Sequence, residues 1–349
     1  MLLAAVLLVG CGGDPEPGVA GTAVGVAVYS EFLPFAEVEA ALPDLADAGV
    51  GLRLAVAAAE VADGEAEALA SVLRAAEAEG VEVGIWLLLA DEDGYWPGET
   101  NVGPFGEAVT ALLDWLDAEG LAADAVVFDL EPDRAYSEEI LGATSAGELG
   151  ALVDLLGMHV DAGAHAAARR GFQDIVDEVH ASGRRALAVT YPQVLDDGND
   201  GDLDLEDAFD IPVDGVGWDE VSFMVYQSVY EPIAGEWVGP DLVYTYAETA
   251  VERFGDRATV ALGIVGQAGV FMEDAVPYAD PAMLADDVAA AAAAGARRVE
   301  VYSLDGALAE GGVAPWLALS PVTEAVPEPS TTTGIVRSFF AGVDSALDR

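Results

Sequence analysis

The sequence predicts a (β/α)8 barrel, and three observations carry that prediction. Eight short apolar runs recur along the chain, stretches rich in alanine, leucine and glutamate separate them, and several of those stretches end in glycine. Strands alternating with helices imply a parallel sheet, and eight such units within 349 residues match a closed barrel in number and size.

The strand candidates are 24–29, 51–56, 83–89, 125–129, 186–190, 220–226, 259–264 and 298–302. Helical stretches include 65–79, 105–119, 163–181, 244–254 and 281–294. Gly80, Gly120, Gly183 and Gly295 each stand between a helical stretch and the next strand, where glycine accepts the left-handed conformation that closes a helix. A doubly wound open sheet is the competing topology. It is weaker, because Tyr29-Ser30-Glu31-Phe32 stands where a glycine-rich phosphate turn would follow the first strand.

The barrel is expected over 23–320, preceded by a signal segment at 1–11 and a Gly/Pro linker at 12–22, and followed by a linker and short tail at 321–349. Residues 1–11 form a short apolar run ending in Leu8-Val9-Gly10-Cys11. That run is too short to span a bilayer, it lacks a basic leader, and Cys11 is the only cysteine, so nothing in the chain can pair with it. The tail, 335–347, is amphipathic and both termini are expected to be appendages of the barrel.

Charge excludes some partners. The chain carries 63 acids against 13 bases, for a net charge of −50, and every base is arginine. Such a surface repels nucleic acid and anionic lipid. The acids are dispersed, which fits solubility better than an acidic-tail function. The stretch 196–204 is rich in Asp and Gly but lacks the register of an EF-hand, with Asp207 where the bidentate Glu would stand, and reads as a solvated loop. His159, His165 and His180 all fall in helical stretches without zinc-type spacing, so no metal or cofactor is expected.

The most informative segment ends the fourth strand, Val126-Val127-Phe128-Asp129-Leu130-Glu131. Side chains alternate along a strand, so Asp129 and Glu131 point the same way, toward the mouth of a closed barrel. Two neighbouring carboxylates resist simultaneous ionisation, which suits acid-assisted cleavage of a glycosidic bond. Other strand ends add Tyr29 and Glu31, Tyr191 and Gln193, Gln227, Gln267, Asp305 and, from the loop after strand three, Trp96. Aromatic faces, amides and carboxylates together suit a sugar. Trp86, inside a strand, reads as core; Trp96, in a loop, reads as exposed.

Asp124-Ala125-Val126-Val127-Phe128-Asp129-Leu130-Glu131 resembles the D-G-x-D-x-D-x-E signature of family 18 glycoside hydrolases, the chitinases and endo-β-N-acetylglucosaminidases. Met224-Val225-Tyr226-Gln227 is similar to that family's strand-six element. The resemblance implies Glu131 as general acid, Asp129 as the residue orienting the substrate's N-acetyl group, Tyr226 as a further hold on that group, and Gln227 as a substrate contact. Val127 and Ala125 replace an acid and a glycine of the signature, and Tyr302-Ser303-Leu304 stands where the family places a tryptophan. Phe128-Asp129-Leu130-Glu131 also resembles the strand-four element of family 25 muramidases. Residues 1–11 resemble a bacterial lipobox, which implies lipidation of Cys11 and an extracytoplasmic protein anchored in the cell envelope. The resulting expectation is a lipid-anchored glycoside hydrolase on N-acetylglucosamine-containing glycans. A non-catalytic barrel binding glycan or protein, or a peptidoglycan hydrolase, are the alternatives.

Overall fold

The computed structural model describes residues 21–62, 66–145, 149–197, 203–234, 237–266 and 275–347. Eight parallel strands close in sequence order, β1 pairing with β8. They are β1 (Gly25–Ser30), β2 (Val50–Ala57), β3 (Val83–Leu88), β4 (Ala125–Leu130), β5 (Arg185–Thr190), β6 (Glu220–Met224), β7 (Ala258–Gly263) and β8 (Arg298–Tyr302). The predicted (β/α)8 barrel is the observed one. Strand ends differ by one or two residues, because the apolar run of the sequence does not coincide with the last ladder hydrogen bond.

The helices are α1 (Phe35–Ala48), α2 (Ala58–Ala62), α3 (Glu67–Glu79), α4 (Val102–Glu119), α5 (Arg134–Ser145), α6 (Leu149–Leu156) and α7 (Ala162–Ala181). They continue with α8 (Asp204–Ala208), α9 (Gln227–Ala234), α10 (Pro240–Phe254), α11 (Pro281–Ala293), α12 (Leu304–Ala309), α13 (Val313–Leu317) and α14 (Thr331–Leu347). Gly80 and Gly120 close α3 and α4 at φ 74° and 63°, the left-handed geometry their position predicts. No described helix is long and apolar enough to cross a membrane.

Alternation along each strand divides the interior in two. Val126, Phe128 and Leu130 face the helices and join one large apolar shell with Phe105, Phe172 and Trp218. Ala125 and Val127, of opposite parity, pack in a separate cluster with Tyr29, Trp86, Leu187, Val189, Ala261 and Tyr302. That second cluster fills the barrel lumen.

The lumen changes character along its axis. At the end where the strands begin, Arg53 binds Glu300 at 2.7 Å and Glu82 at 3.2 Å. Arg185 bridges Glu82 and Glu220 at 2.7 and 2.5 Å, and Arg298 lies 3.3 Å from Glu220. A cavity of about 250 Å³ opens there, against Arg53, Glu82, Arg298 and Glu300. The other end, where the strands finish, carries acids and aromatics and holds the candidate site.

The C-terminal tail is not a loose appendage. Val336, Phe340 and Val343 of α14 are buried. Arg337 hydrogen-bonds Asp196 and lies 4.1 Å above the Tyr246 ring, which also donates to Asp196 at 2.7 Å. Asp196 and Asp197 are buried rather than solvated, and Arg337 of the tail covers Asp196. Thr22 and Val322 exchange backbone hydrogen bonds of 2.8 and 2.9 Å, tying the two ends of the barrel together. Cys11 lies outside the described residues.

Candidate active site

Asp129, on β4, is 4% exposed, and Glu131 follows one residue past the strand end. The two carboxylates interact, and burial drives both upward in pKa. For Asp129, burial is followed by the charges of Glu131 and Glu31, and the nearby Trp86 indole partly offsets them. Its Oδ1 makes no hydrogen bond. Glu131 rises to about 7: burial and the Glu31 charge raise it, whereas contacts from Tyr191 and Asp129 lower it. The pair therefore holds a proton near neutrality.

Glu31 is the third acid of this mouth. Tyr302 donates to it at 2.5 Å and Tyr95 at 3.1 Å. Burial nevertheless raises its pKa to about 7. Register explains the first contact: Tyr29 pairs with Tyr302 across β1 and β8, so the residue two beyond Tyr29 reaches back over the neighbouring strand end.

Tyr226 lies in the lumen cluster, 6% exposed, with its ring centroid 6.0 Å from that of Tyr302. The charges of Asp129 and Glu131 both act on its hydroxyl. Gly263 makes room for it: a Cβ there would lie 3.0 Å from the Tyr226 ring. Tyr29 packs edge-on against Trp86 at 5.4 Å between ring centroids. Asp129, Glu131, Glu31, Tyr29, Tyr191 and Tyr226 thus come together at the barrel mouth.

Other predicted residues do different work. Gln227 is fully buried. Its amide nitrogen donates to both oxygens of Asp287, at 2.7 and 2.6 Å, and its Oε1 accepts the Gly239 amide at 2.6 Å. It fastens α9 to α11 and faces away from the site, which corrects its assignment as a substrate contact. Asp305 accepts the amides of Phe32 at 2.8 Å and Glu31 at 3.3 Å, so it anchors the loop that carries Glu31. Gln193 donates to Tyr230 at 3.2 Å. Gln267 lies outside the described residues.

Trp96 is buried at 8% exposure, not exposed, because it packs into the lumen cluster with Tyr95, whose ring lies edge-on 5.1 Å away. Trp86, read as core, lines that same cluster beside Asp129. Tyr302, of the same parity as Glu300 along β8, turns inward and lines the same cluster.

The histidines also depart from expectation. His159 sits in the turn between α6 and α7, stacked on Tyr136 at 3.6 Å and 3.1 Å from Asp210. His165, although helical, meets Glu99 and Asp207, and one donor atom from each residue lies within 4.8 Å of the others. Local spacing cannot reveal this group, because Glu99 is 66 residues from His165.

No family model matches the sequence, and no curated protein matches it. Solved structures are similar in fold. A class V chitinase from Pseudomonas fluorescens Pf-5 aligns with a TM-score of 0.53 at 14% identity, over 86% of this chain and 99% of that one. A D-allulose 3-epimerase from Methylomonas sp. aligns at 0.46 and 13% identity, over 93% and 98%. An endo-beta-1,4-mannanase from Thermotoga petrophila aligns at 0.46 and 11%, over 94% and 78%. At these identities the likeness is one of architecture: the chain is a single closed (β/α)8 barrel of the TIM type.

Proposed function

We propose that the protein is a glycoside hydrolase acting on N-acetylglucosamine-containing glycans, with Glu131 as general acid. The observation that carries this reading is the Asp129–Glu131 pair at the barrel mouth, two neighbouring carboxylates whose burial pushes both upward in pKa. The aromatic walls supplied by Tyr29, Trp86, Trp96, Tyr226 and Tyr302 support it, since sugar rings pack on such faces. The architecture shared with a class V chitinase is compatible with it.

In the resting pair the two carboxyls share one proton. An acetamide N–H donating to Asp129 favours its anion and moves the proton to Glu131. The acetamide carbonyl oxygen then attacks the anomeric carbon while the bond to the leaving oxygen breaks and Glu131 delivers the proton to that oxygen. Water attacks the resulting cyclic intermediate, with Glu131 taking the water's proton. The resting geometry favours one departure from the family pattern. Val127, an acid in the resembling signature, fills the lumen beneath Asp129, so no acid supports Asp129 from below.

We further propose that the protein is extracytoplasmic and held at the bacterial cell envelope by lipid on Cys11, on the strength of the lipobox-like run. Incubating the soluble barrel with chitooligosaccharides, peptidoglycan and high-mannose glycopeptides, beside a Glu131→Gln control, tests the activity. Release of reducing ends from the first, lost in the variant, is the expected result. Binding without cleavage by the wild type favours the alternative of a glycan-binding barrel, in which Val127 has cost the site its chemistry.

A further inference from the structure

We propose that Glu99, His165 and Asp207 form a zinc-type divalent metal site on the flank of the barrel mouth. The donors come from three separate elements: Glu99 from the segment between β3 and α4, His165 from the start of α7, and Asp207 from α8. One ligand atom from each falls within a 4.8 Å group. The His165 ring is 4% exposed. Its Nδ1 hydrogen-bonds Glu99, whereas its Nε2 makes no hydrogen bond and lies 3.9 Å from Glu206 Oε2. A buried imidazole therefore has a polar atom left over among carboxylates.

Charge balance points the same way. Glu206 and Asp207 are 0% and 2% exposed, and the Glu99 side chain is 6% exposed. Arg253 binds Glu206 at 3.3 Å but is shared with Asp214 at 2.9 Å. Buried carboxylates in this excess need a compensating cation or a proton. A divalent ion between Glu99, His165 and Asp207 supplies that compensation at the place where the negative charge collects.

The donor set selects the ion. One imidazole with two carboxylates suits zinc, whereas calcium and magnesium favour oxygen ligands alone. Glu206 is fixed as an outer partner: its Oε2 accepts the amides of Val213 at 3.0 Å and Asp214 at 2.8 Å. It lies 3.9 Å from the second ring nitrogen, beyond hydrogen-bond distance but on the side where an outer partner of a metal-bound histidine stands. Asp207 is oriented in turn by the Asp161 amide at 2.9 Å.

The site would bind three loops into one block behind the catalytic strand. Glu99 N–H donates to Asp210 O at 3.0 Å, and Gly98 packs where a Cβ would lie 3.3 Å from Glu131 O. The inference does not depend on the glycan reading, because metal retention is measured without substrate.

The test strips the purified chain with chelator and incubates it with zinc sulfate in excess magnesium, which occupies the acidic surface. The protein is then desalted, its zinc counted by mass spectrometry, and its thermal unfolding followed. The expected result is about one zinc retained per chain and a Tm that rises with zinc concentration, since a ligand of the native state stabilises it. Glu99→Gln, which keeps shape and packing, is expected to weaken retention at least tenfold, and His165→Ala to abolish it. His180→Ala, at the separate contact with Asp219, leaves retention unchanged. Failure of the wild type to retain zinc overturns the proposal, as does equal retention by Glu99→Gln.

Discussion

The Tyr29 hydroxyl donates to Glu300 at 2.5 Å, and the other oxygen of Glu300 accepts from Arg53 at 2.7 Å. This contact marks a boundary inside the lumen. Below it each carboxylate meets an arginine. Above it Glu31 and Glu131 are answered by tyrosines, which satisfy hydrogen bonds without neutralising charge, and Asp129 is answered by Glu131. Acidity is thereby confined to the mouth, where a proton can be held and released.

Removing Arg53 is expected to unfold the floor of the barrel. Its side chain is 1% exposed and paired with Glu300 and Glu82, so Arg53→Ala leaves buried acid uncompensated. The expected loss is about 3–5 kcal/mol, measured by urea unfolding. A stability equal to that of the wild type would show that the pairing is neutral.

Activity is expected to rise as pH passes about 7, where Glu131 gives up its proton and leaves the pair with a single one, and to fall at higher pH when that remaining proton leaves. Glu31 raises the pKa of both acids, so Glu31→Gln removes a like charge and moves the alkaline limb of kcat/KM to lower pH. An unmoved limb would place the proton elsewhere.

Asp287 gives a prediction for stability. It is 1% exposed, and burial raises its pKa from the ordinary 3.8 of an aspartate to about 7. The native state thus binds more protons than the unfolded chain between those values. The contribution of this group is fully present at low pH and lost as pH rises through about 7. Asp287→Asn, which can still accept from Tyr278 and Gln227, is expected to flatten the fall in Tm across this range.

Gln227→Ala is expected to cost about 1–3 kcal/mol in stability, because it leaves the Gly239 amide and Asp287 without their partner. Affinity for glycan should stay within about twofold of the wild type by calorimetry, a shift worth under about 0.5 kcal/mol. A large loss of affinity in a stable variant would restore Gln227 to the site.

Gly263→Ala is expected to displace the Tyr226 ring, which a Cβ would approach to 3.0 Å. Overpacking of this kind costs about 1–3 kcal/mol. If Tyr226 positions substrate, the variant raises KM severalfold while circular dichroism shows it still folded, and an unchanged KM in the folded variant would remove Tyr226 from the site.

By itself the sequence determined the features that depend on local periodicity. Helical stretches closed by Gly80 and Gly120 between eight apolar runs suffice for the barrel, because each strand–helix unit obeys rules that act over a few residues. Asp129 and Glu131 share a face for the same reason: they lie two apart on one strand. The tertiary structure decided what non-local packing controls. It turned Gln227 away to Asp287, 60 residues on, and buried Trp96 in the lumen. It drew the tail onto the barrel through Arg337 and Asp196, 141 residues apart, and brought His165 to Glu99. A buried charge or amide takes whichever partner the closed fold places beside it, and that choice has no period along the chain.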